Sequence, residues 1–311
     1  MNTSEFLTIT SAVVPDREAI IFDEQRIDYE TLQRRVNKLA NALAELGVEA
    51  GDRVAMLQVN CNEYLETYFA TAKLDAIFLP LNFRTREEEL AYMLNDAEPK
   101  VIISGQRYIG LIDGTRDKAK SVKHYISLES NPNKEGWLFY DAVLEATDDE
   151  ERFPTNDEED ITIIMFTAGT TGTPKGVMLS HNSFSSYILA NVSPVDPDLD
   201  EKNILTVPLY HIAGIQAVMA AVYGGRTLIV QRQFEADQWM ELVQKEQINR
   251  AMMVPTMLKQ LMDHEDFHQY DLSSLEVITY GAAPMPLEVI KRAIQEFPNT
   301  RFINAFGQTE T

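Results

Sequence analysis

The residues best suited to chemistry form one segment, from Thr167 to Gly176, which reads TAGTTGTPKG and directly follows the apolar stretch 161–166. Its three glycines let the backbone turn sharply and bring N–H groups close to a ligand. Its four threonines supply hydroxyl donors, and Lys175 supplies a positive charge. Glycine amides, hydroxyls and one cation are the groups that bind a polyphosphate. The segment therefore predicts a polyphosphate-binding loop after a buried strand.

The same segment differs from the phosphate-binding loop of ordinary P-loop NTPases. That motif ends in Gly-Lys followed by Ser or Thr, whereas here Lys175 lies between Pro174 and Gly176. The sequence therefore disfavours a P-loop NTPase. A mobile Gly/Thr-rich connection is the alternative, and the Pro-Lys-Gly ending after an apolar strand weighs against it.

Four motifs in chain order resemble the adenylate-forming superfamily, specifically its acyl-CoA synthetases. The family's loop reads Tyr/Phe-Thr-Ser-Gly-Thr-Thr-Gly-x-Pro-Lys-Gly, and residues 166–176 match it except for Ala168 in place of serine. Residues 208–214 are similar to its Pro-x-Phe/Tyr-His-x-x-Gly segment, and residues 280–285 to its Gly-Gly-Ala-Pro-Leu/Met loop. Residues 305–310 are similar to its Tyr-Gly-x-Thr-Glu segment, with phenylalanine in place of tyrosine.

The resemblance implies a two-step reaction with ATP, Mg²⁺ and coenzyme A. A carboxylate attacks the α-phosphorus of ATP, which gives an acyl-adenylate and pyrophosphate, and the thiol of coenzyme A then displaces AMP. Such chemistry depends mostly on positioning and charge neutralisation. The implied nucleotide-binding residues are the phosphate loop, the small residues beside adenine, and the stacking ring with its neighbours: Thr167, Ala168, Gly169, Thr170, Thr171, Gly172, Thr173, Lys175, Gly281, Ala282, Ala283, Asn304, Phe306, Gly307 and Thr309.

The resemblance also implies catalytic roles for Lys175, His211, Thr309 and Glu310. Lys175 would stabilise departing pyrophosphate, and Thr309 would hydrogen-bond the α-phosphate. Glu310, with Thr167, would hold Mg²⁺, a hard cation that prefers oxygen ligands. His211 follows a predicted strand, and there it would orient the reacting acid. The alternatives are a helix N-cap for Thr309 and Glu310, and for His211 a histidine satisfied by a backbone carbonyl.

Three other sets of reactive residues have simpler interpretations. Residues 264–268 fit the zinc-protease pattern H-E-x-x-H, but they lie at a predicted helix end among acidic residues and are interpreted as a loop. Ser180 and His181 are interpreted as the start of a helix rather than as a nucleophile and its base. Cys61, the single cysteine, excludes an internal disulfide framework and a cysteine-based zinc cluster. We expect Cys61 to be a small buried hydrophobe.

The elements that position these motifs alternate between strand and helix. The predicted strands are 19–22, 26–29, 53–58, 76–79, 101–103, 124–128, 161–166, 204–207, 227–230, 251–254, 275–280 and 302–304. The predicted helices are 32–46, 63–73, 87–94, 183–190, 237–246, 256–263 and 287–297. Strands separated by helix-length segments pair in parallel through crossover connections. The predicted fold is α/β, with layered, mostly parallel sheets and helices on both faces, as in the large N-terminal domain of the adenylate-forming enzymes.

An acidic stretch divides the chain. Eight acidic residues lie between Asp148 and Asp160, and because like charges repel, the stretch is interpreted as a solvated linker. The predicted organisation is an N-terminal α/β subdomain (1–147), the linker (148–160) and a nucleotide-binding α/β subdomain (161–311). The C-terminal lid domain of the family is expected to be absent from this chain. The 311-residue chain alone is therefore expected to be inactive.

The overall charge excludes several classes of partner. The 311 residues contain 27 basic and 48 acidic side chains, a formal net charge of −21, which repels nucleic acid and anionic lipid. The N-terminal region lacks the basic residues of a secretory signal, and the longest apolar stretch, 212–223, is too short to span a membrane. These features predict a soluble, cytoplasmic protein whose partners are small molecules, and they leave a homo-oligomer open.

The leading functional hypothesis is an ATP-dependent carboxylate–CoA ligase for a fatty or related apolar acid. The alternatives are an amino-acid- or aryl-acid-adenylating domain and a non-catalytic ATP-binding fragment. Peptide-synthetase domains use an aspartate after the middle motif, whereas residues 210–214 contain no acid, which favours a plain carboxylic acid. The acyl chain length, the choice between fatty and aryl acids, and the thiol acceptor stay open at this point.

Overall fold

The computed structural model describes residues 1–129, 134–155, 157–167, 174–307 and 309. The helices in these ranges are α1 (Ser4–Val13), α2 (Tyr29–Glu45), α3 (Asn62–Lys73), α4 (Glu87–Ala97), α5 (Ile109–Thr115), α6 (Tyr140–Glu145), α7 (His181–Asn191), α8 (Ile212–Tyr223), α9 (Ala236–Glu246), α10 (Pro255–Met262) and α11 (Leu287–Glu296). The strands are β1 (Glu18–Phe22), β2 (Gln25–Asp28), β3 (Arg53–Leu57), β4 (Ile77–Leu81), β5 (Val101–Ser104), β6 (His124–Ser127), β7 (Leu138–Phe139), β8 (Ile161–Thr167), β9 (Lys175–Ser180), β10 (Lys202–Leu205), β11 (Thr227–Val230), β12 (Arg250–Met253), β13 (Val277–Gly281) and β14 (Arg301–Ala305).

The strands form two seven-stranded sheets. The strand order is β7-β6-β5-β3-β4-β8-β9 in sheet I and β14-β13-β12-β10-β11-β1-β2 in sheet II. Neighbouring strands are parallel except in two edge hairpins, where β9 pairs antiparallel with β8 and β2 with β1. The predicted α/β fold with mostly parallel sheets is therefore confirmed.

The largest hydrophobic core joins side chains of both sheets. It includes Val54 and Phe78 from sheet I, and Ile20 and Leu228 from sheet II. Helix α3 lies in this core, since all of its residues except Glu63 are buried. The two sheets are thus parts of one packed structure, with helices filling the space between them.

Four helices (α1, α5, α6 and α8) and two strands (β7 and β9) do not follow from the sequence patterns. Helix α8 shows the reason most clearly. It is apolar almost all round, so it has no polar face and no helical periodicity to detect. Its Val218 and Met219 are buried in the core shared by the sheets. Within the described ranges no helix, α8 included, is both long and apolar enough to cross a bilayer.

Each sheet takes strands from both sides of the acidic stretch, which corrects the predicted division of the chain. Strand β1 pairs with β11 in sheet II, with Ile20 opposite Leu228. Strand β8 pairs with β4 in sheet I, with Phe78 opposite Ile163. Short buried strands carry no local signal that identifies their partner. Sequence patterns therefore could not show that the chain passes from sheet II to sheet I and back.

The first half of the acidic stretch is held against helices through its backbone and Glu151, while the side chains of residues 148–150 stay exposed. The Nδ2 group of Asn41, in α2, donates hydrogen bonds to the carbonyl oxygens of Asp148 and Glu150, each at 3.0 Å. The Lys73 ammonium of α3, whose side chain is 1% exposed, donates to Glu151 Oε1 at 2.8 Å. Burial lowers the pKa of Lys73, and the Glu151 carboxylate opposes that shift. This half of the predicted linker is ordered because buried polar groups on α2 and α3 require partners.

We expect Glu151→Gln to lower the free energy of unfolding by about 3 kcal/mol, because the Lys73 charge stays buried without a carboxylate partner. Urea denaturation followed by circular dichroism measures the change. Glu150→Gln is the matched control, since the Glu150 side chain is exposed and its backbone contact with Asn41 is retained. Equal stability of the two variants would show that Lys73 does not depend on Glu151.

Candidate functional site

The two sheets meet where the carboxyl ends of their parallel strands lie. In sheet I, β4 is followed by Phe83; in sheet II, β10 is followed by the segment that contains Tyr210. The ring centroids of Phe83 and Tyr210 are 5.4 Å apart, and the ring planes make an angle of 82°. This edge-to-face contact joins the two carboxyl edges, the part of an α/β sheet where ligands bind.

The predicted phosphate loop lies on the β8–β9 hairpin of sheet I, at the same edge. Thr167 ends β8, Lys175 begins β9, and the two are cross-strand partners. Thr167 is half-buried and Lys175 is exposed. The remaining predicted loop residues lie outside the described residues: Ala168, Gly169, Thr170, Thr171, Gly172 and Thr173. The sequence predicts that the loop extends to Gly176. The structure corrects this boundary, because Lys175 pairs with β8 and is the first residue of strand β9.

Small residues end β13 beside the neighbouring strand β14. Gly281 lies opposite Ala305, and a Cβ atom on Gly281 would overlap the Ala305 carbonyl oxygen. Ala282 follows with φ of 64°, a left-handed conformation that is costly for a residue other than glycine. Ala282 and Ala283 are both exposed. The chain therefore turns sharply here and presents a surface of small residues that a flat ligand can approach closely.

Residues of β14 and those after it make up the rest of the predicted nucleotide set. Asn304 lies in β14, and Phe306, just beyond it, is 90% exposed. Gly307 is exposed and Thr309 is half-buried, whereas Glu310 lies outside the described residues. The exposed ring of Phe306 at the carboxyl edge of sheet II is available to stack on a base.

His211 immediately precedes α8, next to the contact between the sheets. Its backbone N–H donates to the Pro208 carbonyl at 3.1 Å, and its ring centroid is 4.2 Å from that of Tyr210. Partial desolvation of the ring and, secondly, the Arg84 guanidinium lower the pKa of His211. The imidazole is therefore neutral at pH 7. In the described part of the chain no backbone carbonyl accepts a hydrogen bond from it, so its nitrogens are available to a ligand.

Two residues at this edge, Phe83 and Arg84, did not emerge from the sequence motifs. Arg84 is exposed, and its guanidinium carbon is 5.4 Å from the ring centroid of Phe83. It places a positive charge beside His211 in a chain whose net charge is −21. The one sequence feature that points to these two residues is their place shortly after a predicted strand, because ligands bind at the carboxyl ends of parallel strands.

The other reactive residues have the structural roles predicted for them. Ser180 caps α7 by accepting a hydrogen bond from the Ser183 N–H at 3.2 Å. Cys61 is 2% exposed, and burial raises the pKa of its thiol. Helix α10 ends at Met262, so residues 264–268 do not lie on a continuous helix. The zinc-protease pattern therefore lacks the helical support that such a site needs.

We expect Gly281→Ala to destabilise the protein by about 1–3 kcal/mol and to weaken nucleotide binding, since a methyl group cannot fit against the Ala305 carbonyl. Gly110→Ala is the matched control, because Gly110 is exposed in α5, belongs to none of the four motifs, and has no atom outside its own helix and chain neighbours within 4 Å of its Cβ position. Thermal unfolding and calorimetric titration with ATP measure both effects. Similar losses in the two variants would contradict a role for the close approach of β13 and β14.

We expect Arg84→Gln to raise the pKa of His211 toward its ordinary value near 6.5, because removal of a nearby cation makes protonation of the imidazole easier. NMR titration of the histidine signals measures the change. Arg86→Gln, which neutralises another exposed arginine of the same loop, should leave the pKa of His211 unchanged. Equal pKa values in both variants and the parent would mean that the Arg84 charge is screened by solvent.

Comparison with known proteins identifies the family. The AMP-binding enzyme family matches residues 8–311 of the chain. Indoleacetate–CoA ligase of Aromatoleum aromaticum is 31% identical over 100% of this chain and 60% of its own length. Feruloyl-CoA synthase of a Streptomyces species is 32% identical over 95% of this chain and 57% of its own length. The chain thus spans about 60% of the length of these curated relatives.

Solved structures share the fold. The inhibitor-bound N-terminal domain of FACL13 from Mycobacterium tuberculosis superposes with a TM-score of 0.90 at 28% identity, over 99% of this chain and 76% of that one. An anthranilate CoA ligase in complex with anthranoyl-AMP superposes with a TM-score of 0.93 at 22% identity, over 100% of this chain and 60% of that one, which shows the fold alone. The chain therefore belongs to the AMP-binding enzyme family of adenylate-forming proteins, and it has the fold of their N-terminal domain.

Proposed function

We propose that this protein is an ATP-dependent carboxylate–CoA ligase. It joins a carboxylic acid to the α-phosphate of ATP with loss of pyrophosphate, and then transfers the acyl group from AMP to the thiol of coenzyme A. The observation that carries the proposal is the placement of distant motifs at the carboxyl edges of the two sheets, which the Phe83–Tyr210 contact joins. Thr167 and Lys175 lie at the carboxyl edge of sheet I, and Gly281 and Phe306 at that of sheet II. Membership of the AMP-binding family supports the same reaction.

The proposal gives each nucleotide-binding element one task. Lys175, exposed at the hairpin, neutralises the β- and γ-phosphates and the charge that develops on departing pyrophosphate. Gly281, Ala282 and Ala283 allow the backbone to lie along adenine, because larger side chains would hold the base away. The exposed ring of Phe306 stacks on the same base. Two residues beside this ring contribute further contacts: Asn304 and Gly307.

The proposed reaction uses ATP together with Mg²⁺, which neutralises phosphate charge when it is bound. The half-buried Thr167 hydroxyl at the end of β8 is an oxygen ligand of the kind that this hard cation prefers. Glu310 is proposed to supply a carboxylate oxygen, and Thr309 to hydrogen-bond the α-phosphate. The residues between Thr167 and Lys175 are proposed to hold the remaining phosphate oxygens.

The proposed acid has an apolar body and a carboxylate that reaches His211. A neutral imidazole beside the joined sheet edges can orient the carboxylate by a hydrogen bond. Phe83 and Tyr210 place apolar ring surface near it, which suits the apolar body of a carboxylic acid. Ile215 and Val218 are only 2% and 1% exposed and belong to the core, so they do not select the acid.

An aryl acid is the second candidate substrate. The perpendicular Phe83–Tyr210 pair is the observation that favours it, because aromatic rings add to such an arrangement favourably. Two relatives carry the names of acids with aromatic rings, indoleacetate–CoA ligase and feruloyl-CoA synthase, whereas a third, from Mycobacterium tuberculosis, is a long-chain-fatty-acid–CoA ligase that is 29% identical. An amino acid is disfavoured, since residues 210–214 offer no carboxylate for its ammonium group.

The test is an assay of the full-length protein with ATP, Mg²⁺ and a panel of fatty acids of several lengths, aryl acids and amino acids. We expect AMP release to require a carboxylic acid. We expect formation of the thioester, identified by mass spectrometry, to require coenzyme A in addition. The acid with the highest kcat/KM defines the substrate class. Nucleotide binding without AMP release from any acid would instead support a non-catalytic ATP-binding protein.

We expect Lys175→Ala to lower the rate of acid-dependent pyrophosphate exchange by about 100-fold and to change the Kd for ATP much less. The reason is that charge on pyrophosphate grows as it departs, so the cation contributes most in the transition state. Exchange kinetics and calorimetry in the full-length protein separate the two effects. Lys291→Ala, which removes an exposed lysine of α11, should change neither, and an unaltered exchange rate in Lys175→Ala would remove Lys175 from the mechanism.

We propose that this activity takes place in the cytoplasm, where both ATP and coenzyme A are present. The free, buried thiol of Cys61 is of the kind found in proteins of a reducing compartment.

A further inference from the structure

Asn60, in the loop between β3 and α3, lies buried at the junction of the two sheets and is only 2% exposed. Its Nδ2 donates to the Val207 carbonyl at 3.1 Å and to the Gln231 carbonyl at 3.2 Å. Its Oδ1 accepts a hydrogen bond from the Leu209 N–H at 2.9 Å. The amide thus uses both donor hydrogens and its acceptor, and one side chain from the sheet I region satisfies three backbone groups of the sheet II region.

These backbone groups belong to the segments that follow β10 and β11, where the ladder of parallel hydrogen bonds has ended. Val207 and Leu209 are only 3% and 1% exposed, so solvent cannot readily satisfy their backbone groups. Buried backbone donors and acceptors require partners, and Asn60 supplies them here. The path of the chain after β10 therefore depends on a side chain from the other sheet.

The segment that Asn60 holds leads directly to His211. Only Tyr210 separates Leu209 from His211, and the His211 N–H donates to the Pro208 carbonyl. A Cβ atom on Gly214 would lie 2.5 Å from that same carbonyl oxygen, so the first turn of α8 packs tightly on this turn. Because the turn at residues 208–211 and the first turn of α8 are in tight contact, a displacement of Leu209 also displaces His211.

We propose that Asn60 is a positioning residue that holds the turn from Pro208 to His211 and thereby sets where the imidazole meets the carboxylic acid. Asn60 acts through the backbone of Val207 and Leu209 and does not touch the substrate. The kinetic part of this inference rests on the proposed function, whereas its structural part rests on the position of His211 alone.

The kinetic test compares Asn60→Ala with Asn41→Ala in the full-length protein. Asn41 is the matched control, because it is 6% exposed and also donates to two backbone carbonyls, but from α2 to the acidic stretch. In Asn60→Ala we expect kcat/KM for the carboxylic acid to fall at least about tenfold, while the Kd for ATP changes less than about twofold. Asn41→Ala should leave both quantities unchanged.

NMR of ¹³C-labelled histidine supplies a readout that needs no activity. The chain has five histidines, and the signal lost in His211→Gln identifies that of His211. We expect this signal to shift in Asn60→Ala and to stay in place in Asn41→Ala. Asn60→Asp keeps an acceptor for the Leu209 N–H but places a carboxylate oxygen against the Val207 and Gln231 carbonyls, so we expect it to shift the His211 signal as well.

The outcomes separate the two proposals. A His211 signal at its original position in both Asn60 variants, with kcat/KM for the acid unchanged, would overturn the inference and make Asn60 a packing residue only. Failure of the parent protein to release AMP with any acid would overturn the proposed function. In that case the position of the His211 signal would still decide whether Asn60 controls the turn.

Discussion

Parallel pairing requires that all strands of a sheet end on the same edge, and this constraint explains how motifs far apart in the chain come together. In sheet II, β13 and β14 bring Gly281 and Phe306 to one edge, and the chain after β10 brings His211 to it. In sheet I, β8 ends at Thr167 on the corresponding edge. The contact between Phe83 and Tyr210 then joins the two edges. No single loop contains this arrangement, because it depends on the pairing of every intervening strand.

Charge imposes a second constraint on the same edge. The proposed ligands ATP, coenzyme A and a carboxylate are all anions, and the net charge of −21 of this chain opposes their approach. Lys175 and Arg84 are exposed cations at the carboxyl edges, and they act over a few ångströms, where direct contact outweighs the distant field. Dissolved salt shortens the range of the overall repulsion to about 10 Å at 0.1 M, and it weakens close contacts less. Moderate ionic strength therefore favours encounter with such ligands.

Local composition predicted those features that depend on neighbouring residues. The apolar run before Thr167 became β8, and Ser180 became the cap of α7, because strand burial and capping are short-range effects. Local composition did not predict features that depend on contacts between residues far apart in the sequence. Helix α8 lacks a polar face since it is enclosed by the core, and the partner of β1 lies in a strand far along the chain.

The same distinction applies to the candidate site. The motifs at residues 166–176, 280–285 and 305–310 are recognisable because their residue types are unusual and contiguous. Arg84 and Asn60 are ordinary residues in ordinary loops, and only the meeting of the two sheets gives them a role. Composition predicts a loop at Lys175, because it cannot reveal that the backbone of Lys175 pairs with that of Thr167. Sequence motifs thus predict candidate ligand-facing residues, whereas the residues that support them emerge only from the structure.

The placement of the β1–β2 hairpin in sheet II has a consequence for biosynthesis. Ile20 pairs with Leu228, and 208 residues of sequence separate them. At a synthesis rate of about 5–20 residues per second, the hairpin leaves the ribosome about 10–40 s before its partner strand. During that interval the apolar strand β1 has no sheet to join, although sheet I can already assemble from residues made in between. Until β11 has been made, the nascent chain therefore carries the apolar strand β1 without its partner in sheet II.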